Sequence, residues 1–326
     1  MSRRGVGSRR PETRPEPGDA VNRLLKVDTV RSRWTAADVL TPVWRGQVAD
    51  LRAYEVDVRL DRPHGVHRFR VTARRLRSNL AGLRPLLDAA TVDGLQRGLR
   101  EAAASVGGAR DAEVVRRRVD LLLLDEPDSP GVARTRDRLG RMLAGSSEES
   151  REAALEYFDG PEYDALTRSL DRFSDLPPWG ASSREPADEA LPPLLRKEWA
   201  RFRRRGREAL TAGPGDTSDD ALHDARKAAK RSRYLAEALS PVLGRRAKHL
   251  AKAAEQVQVV LGDYQDSVIT RSLLERAAIE TSAEAEEALA LARMVAREER
   301  AARDLRVLFE RRFAAADRAS LRRWMR

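Results

Sequence analysis

Slid along itself by 156 residues, the chain meets a second copy of one of its own segments. "VHRFRVTARRLRSNLAGLRPLL" (Val66–Leu87) falls on "LHDARKAAKRSRYLAEALSPVL" (Leu222–Leu243). His67 meets His223, Arg70 meets Arg226, Arg74 meets Lys230, Arg75 meets Arg231 and Arg77 meets Arg233. Leu83 and Pro85 meet Leu239 and Pro241. One residue out of that register, "VGGARDAEV" (Val106–Val114) then falls on "LGDYQDSVI" (Leu261–Ile269), pairing Gly107 with Gly262 and Asp111 with Asp266. Two blocks in one order at nearly one offset mean a tandem duplication, and a duplicated chain must fold as two related halves. The halves lie at about 35–175 and 191–326.

The period within each half is 3.6 residues, with no convincing alternating strand, so the fold class is all-α. Helices are predicted over about 36–60, 64–90, 93–107 and 110–124, with more from 129 to 173. Each half then has about four main helices and short connections, the sequence form of an antiparallel bundle. Two stretches break the pattern. Residues 1–19, "MSRRGVGSRRPETRPEPGD", have almost nothing to bury and read as a disordered basic tail. "DLPPWGASSREPADEALPP" (Asp175–Pro193) is rich in proline and serine and reads as a linker, centred on about 176–190.

Composition sharpens the partner. A net charge of +11 and a pI near 10.5 call for an anionic one: nucleic acid, an acidic membrane or a phosphate polymer. Cysteine is absent, which excludes disulfides and thiolate metal sites and permits a reducing compartment. Aromatics are only 5%, which suits helices packed closely on helices. No apolar run is long enough for a membrane span, and no apolar segment follows the N-terminal arginines. A soluble cytoplasmic protein is the expectation.

On the first repeated helix Phe69, Ala73, Leu76, Leu80, Leu83 and Leu87 make a core seam at 4-3-4-3-4 spacing. His67, Arg70, Arg74 and Arg77 form a second stripe, centred about 120° from the first on the helical wheel. A stripe so placed flanks the core and can line a groove. The second copy repeats it with His223, Arg226, Lys230 and Arg233, beside a thinner seam of Ala225, Ala229, Ser232, Ala236, Leu239 and Leu243. The basic positions have therefore diverged less between the halves than the core positions. Ordinary solvated helix faces mix acids with bases, yet neither stripe holds an acid. Like charges at this spacing repel by a few tenths of a kcal/mol per pair. A bound polyanion offsets that cost. Each histidine stands in the first turn of its helix, where the N-terminal N–H groups favour an anion.

Other chemistry finds little footing. Asp61 with His64, and Asp220 with His223, have metal-ligand spacing, but His64 has no counterpart and arginines would repel a cation. No metal or cofactor is expected. No Walker, HExxH or GxSxG motif and no cysteine nucleophile is present, so no catalytic residue is assigned. Asp111 and Asp266 follow glycines where helices should begin, and read as N-caps. "WARFRRRGR" (Trp199–Arg207) leads towards the second histidine helix, and some of its arginines are candidates for the same groove.

The doubled pattern His-x-x-Arg-x-x-x-(Arg or Lys)-Arg-x-Arg, with its glycine-aspartate block, resembles the CHAD domain, the conserved histidine α-helical domain, over about residues 35–326. The resemblance implies two helical bundles about a pseudo-twofold axis, with a basic central groove or pore. It also implies binding of inorganic polyphosphate through His67, Arg70, Arg74, Arg75, Arg77, His223, Arg226, Lys230, Arg231 and Arg233. Association with polyphosphate granules is the corresponding location. Many members carry a CYTH domain marked by alternating Glu and Lys on a strand. This sequence has no such strand, so a standalone, non-catalytic binding module is expected. General polyanion or nucleic-acid binding, and phosphotransfer through a phosphohistidine, are the alternatives.

Overall fold

Thr35 starts the first helix with a reciprocal cap: its hydroxyl accepts from the Asp38 N–H at 3.2 Å, and its own N–H donates to the Asp38 carboxylate at 3.0 Å. In a computed structural model the backbone is described for residues 34–213, 216–279 and 285–325. The side chains are described there too, except at 108–112, 145–150 and 216. The basic tail expected at 1–19 lies outside the described residues.

Ten α-helices follow in the described chain: α1 (Ala36–Arg59), α2 (Gly65–Leu83), α3 (Ala89–Ser105), α4 (Gly107–Leu124), α5 (Pro130–Asp159), α6 (Pro161–Asp175), α7 (Ala187–Thr211), α8 (Asp216–Ile279), α9 (Ala285–Ala316) and α10 (Ala319–Arg322). Among the described residues there is no β-strand, only two isolated bridges. The fold is all-α.

The helix expected over 64–90 ends early, at Leu83. Pro85 lacks an N–H and sits in a 3-10 turn, Arg84–Leu86. Asp88 then caps α3, its carboxylate accepting from the Thr91 N–H at 2.9 Å. Pro241, at the equivalent position, lies inside α8, and that chain breaks three residues later at Gly244. There φ is 64° and ψ is −145°, a conformation that favours a residue without Cβ. The 64-residue α8 is thus two arms, 216–243 and 245–279.

Asp111 and Asp266 both lie within helices, and the N-capping expected of them does not occur. In each copy the helix begins earlier than the glycine suggests: α4 starts at Gly107, and α8 runs straight through Gly262.

The seam expected on α2 is buried throughout, with Phe69, Ala73, Leu76 and Leu80 at 0% exposure. Its counterpart buries Ala225, Ala229, Ser232, Ala236 and Leu239, while Leu243 is partly buried. The alanines of that thinner seam let helices come close. Where α2 meets α8, a Cβ added to Gly82 would stand 3.1 Å from Leu235 Cδ2.

The principal core draws side chains from both sequence halves without interruption, Leu40 and Phe69 sharing it with Leu239 and Phe309. A smaller core joins Val119 and Leu139 of the first half to Leu274 and Met294 of the second. Ion pairs also cross between halves: Arg118 with Glu298 at 2.8 Å, Arg138 with Glu287 at 2.7 Å, and Arg293 with Glu126 at 2.6 Å.

The proline-rich connection is laid along the first half. Asp88 N donates to Pro178 O at 3.0 Å, Gly180 N to Leu86 O at 2.8 Å, and the Trp179 indole to Thr41 Oγ1 at 3.0 Å. Its last residues, expected as linker, already belong to α7, which carries Pro192 and Pro193. Burial of Leu191, Leu194 and Leu195 on one face outweighs the backbone bonds those prolines remove.

Candidate anion-binding site

Helices α2, α3, α7 and the first arm of α8 enclose a cleft of about 770 Å³. From α2 it receives Arg74 and Arg77, and from α8 His223, Arg226, Lys230 and Arg231. The packing of α2 on α8 brings these two groups together. Six of the ten residues picked out by the repeated pattern thus share one cleft.

The other four are placed differently. His67 is exposed and does not line the cleft. Arg70 points one guanidinium nitrogen at the Gly107 carbonyl, 3.1 Å away, and stays close enough to Lys230 to repel its charge. In the second copy, Arg226 likewise lies against Gly262, where an added Cβ would be 3.5 Å from its Nη2. Arg75 and Arg233 converge on one carboxylate, Glu237, at 2.9 and 2.6 Å. Arg233 also pairs with Glu255 at 2.8 Å. Both guanidinium groups pack on Tyr234, 5.4 and 5.9 Å from its ring centre.

Four cations of the cleft lie outside the repeated pattern. Arg97 and Arg100 come from α3, Arg201 from α7, and Lys227 from α8. The α3 pair carries a legible signal, since Asp93, Arg97 and Arg100 recur at helical spacing opposite Val92, Leu95 and Leu99. They fall outside both matched blocks, which is why self-alignment passes over them. Among the arginines of "WARFRRRGR", Arg201 alone lines the cleft. Arg203 and Arg207 pair with Asp317, while Arg204 and Arg205 pair with Glu208.

The electrostatics are one-sided. Among the described residues Asp93 is the one carboxylate lining the cleft, and Arg84 already holds it in a two-point ion pair. The cations therefore act on each other. Burial lowers the Arg77 pKa, helped by Arg100, and burial lowers that of Arg201, helped by Arg231. Lys230 is affected most: burial, then Arg226, Arg74 and Arg70, bring it from 10.5 to about 7. His223 is also lowered, chiefly by burial. Its Nδ1 lies 3.0 Å from the Gln265 side-chain oxygen, which favours the protonated ring. Arg231 pairs with Glu198 at 2.7 Å through one nitrogen, while its buried Nε–H has no acceptor among the described residues. Such a set can hold several anionic oxygens at once. Among the described residues no three His, Asp or Glu side chains converge as a metal site would require. No helix there is long and apolar enough to cross a membrane.

Comparison with known proteins agrees on the architecture. The CHAD domain family model matches residues 43–275. Two curated uncharacterized proteins of Mycobacterium tuberculosis are each 32% identical over 240 residues, 72% of this chain and 44% of theirs. The chain spans less than half the length of those relatives. Among solved structures, PptA from Streptomyces chartreusis superposes with a TM-score of 0.72 at 18% identity, covering 86% of this chain and 99% of that one. The CHAD domain of the plant Ricinus communis gives a TM-score of 0.64 at 21% identity, covering 87% and 93%.

Proposed function

Because the chain belongs to the CHAD domain family, we propose that its cleft binds inorganic polyphosphate and performs no reaction on it. The observation that carries this reading is the lining itself: cations from four helices crowd one cleft, and Asp93, its one carboxylate among the described residues, is already neutralised. Holding so many like charges together is unfavourable in the empty cleft, and a chain of phosphates offsets the repulsion along its whole length. Polyphosphate has no base edges or ring faces to be read, so closely spaced forks and ammonium groups suffice.

A nucleic-acid reading has less support. Single-stranded nucleic acid is usually gripped by aromatic platforms as well as by charge. Tyr234 is the aromatic residue lining the cleft, and it is buried, with Arg75 and Arg233 packed on its ring. Phosphotransfer through His223 would fall to its Nε2, since Nδ1 faces the Gln265 side-chain oxygen at 3.0 Å, and the labelling experiment below tests it.

The test measures affinity for long-chain polyphosphate and for single-stranded DNA at one salt concentration. Clear preference for polyphosphate is expected. Equal affinities would reduce the cleft to a general polyanion site. Incubation with labelled polyphosphate, read for released phosphate and for phosphohistidine, is expected to yield neither.

A further inference from the structure

Lys230 differs from the other lysines of the described chain. Lys197, Lys227, Lys248 and Lys252 are exposed, whereas Lys230 is half-buried and faces the cleft. Arg226 and His223 approach from its own helix, Arg74 and Arg70 from α2, and Asp266 from the second arm of α8. Asp266 is the carboxylate that acts on its ammonium, and it does so less than Arg226, Arg74 or Arg70. An amine set among guanidinium groups, in a cleft suited to phosphate, has the surroundings of a nucleophile beside an anion holder.

We propose that Lys230 is a site of acylation, and that its donors are small acyl phosphates whose phosphoryl group the neighbouring arginines hold. The inference rests on reading the cleft as a phosphate site. Arg74 and Arg226 bind the phosphoryl oxygens and place the carbonyl carbon near Nζ. The lone pair of the neutral amine attacks that carbon, forming a C–N bond as the C–O bond to phosphorus breaks. Inorganic phosphate leaves with the electron pair, and the nitrogen loses its proton to solvent. No oxidant or further reactant is required. The amine is available for this because burial and the surrounding cations leave it about half unprotonated near neutral pH, unlike an exposed lysine. The amide product carries no charge, so acylation removes a cation from the cleft and weakens its hold on any polyanion.

The test treats the full chain with acetyl phosphate at neutral pH and follows each lysine by peptide mass spectrometry. The greater unprotonated fraction, partly offset by weaker intrinsic nucleophilicity, should make Lys230 react about tenfold faster than Lys197, Lys248 and Lys252. Its rate should level off above about pH 8, where the exposed lysines are still accelerating. Arg74→Lys should reduce the preference with acetyl phosphate and leave it unchanged with N-acetoxysuccinimide, which carries no phosphate. If Lys230 reacts no faster than the exposed lysines, the proposal is overturned. Selective labelling that long polyphosphate fails to block would support the lysine assignment while removing the chain-binding reading. Binding of polyphosphate with unselective labelling would do the reverse.

Discussion

The two copies of the histidine helix start from nearly the same charge pattern and end in different surroundings. On α8, His223, Arg226, Lys230 and Arg231 line the cleft, and Arg233 turns away into ion pairs. On α2, Arg74 and Arg77 line it, and Arg77 occupies the position equivalent to Arg233. Two substitutions between the copies account for this last difference. Tyr234 and Glu237 stand where the first copy has Ser78 and Ala81. The larger pair fills space beside Arg233, neutralises it and reaches across to Arg75. Ser78 and Ala81 are small, line the cleft and leave Arg77 directed into it. A repeated basic motif therefore divides its labour: some cations line the cleft, and others fasten one helix to the other.

That division makes unequal predictions for residues the sequence pattern treats alike. The largest effect belongs to Arg74 and Lys230, which meet in the cleft from opposite helices. Replacing both by alanine removes two charge-assisted contacts of about 1.5–3 kcal/mol each, and should lower polyphosphate affinity about 100-fold or more by titration calorimetry. Replacing Arg3 and Arg4 of the tail should have far less effect. Equal losses would mean that net charge alone governs binding.

A smaller effect tests the Ser78–Ala81 opening. Ala81→Glu puts a carboxylate beside Arg77, as Glu237 stands beside Arg233, and should weaken binding about tenfold. An unchanged affinity would mean that Arg77 makes no contact with the chain. Glu237→Ala runs the comparison in reverse. Freeing Arg75 and Arg233 should lower unfolding stability by about 1–2 kcal/mol in denaturant titrations, while affinity holds or rises. A loss of affinity larger than the loss of stability would contradict a fastening role for this carboxylate.

The smallest effect concerns Lys230 in the free protein. Its folded pKa lies near 7, below the 10.5 of an exposed lysine. The folded state is therefore penalised where the lysine is charged, fully below about pH 7, and the penalty fades as pH rises towards 10.5. Lys230→Met should raise the melting temperature by a few degrees at pH 6, and the gain should shrink by pH 9. The bound anion reverses that bias, so polyphosphate affinity of the wild-type chain should increase as pH falls through 7.

Much of this molecule is legible in its sequence. Helical periodicity and the buried seam of Phe69, Ala73, Leu76 and Leu80 follow from local pattern, because an amphipathic helix must bury its apolar face wherever it docks. The self-match marks five of the cleft's cations, Arg74, Arg77, Arg226, Lys230 and Arg231, together with His223, because those positions keep their residue type or charge between the two segments. Legibility failed at boundaries and at partners. Asp111 and Asp266 look like caps, but the helices begin before them. The stretch Asp175–Pro193 reads as a linker, and the structure adds that its backbone bonds to the first half and its last residues are helical.

The sequence by itself determined that the chain is helical, that its motif is doubled and that the doubled motif is cationic. Helicity and charge are local properties, set by residue types a few positions apart, and the doubling is the recurrence of one such local pattern 156 residues on. Only the tertiary structure decided which cations meet. Arg97, Arg100 and Arg201 join the cleft because α3 and α7 pack beside α2 and α8. Arg75 and Arg233 leave it because one glutamate, 162 residues from Arg75 along the chain, lies between them. Charge acts through distance in space, and that distance exists only once the helices have docked.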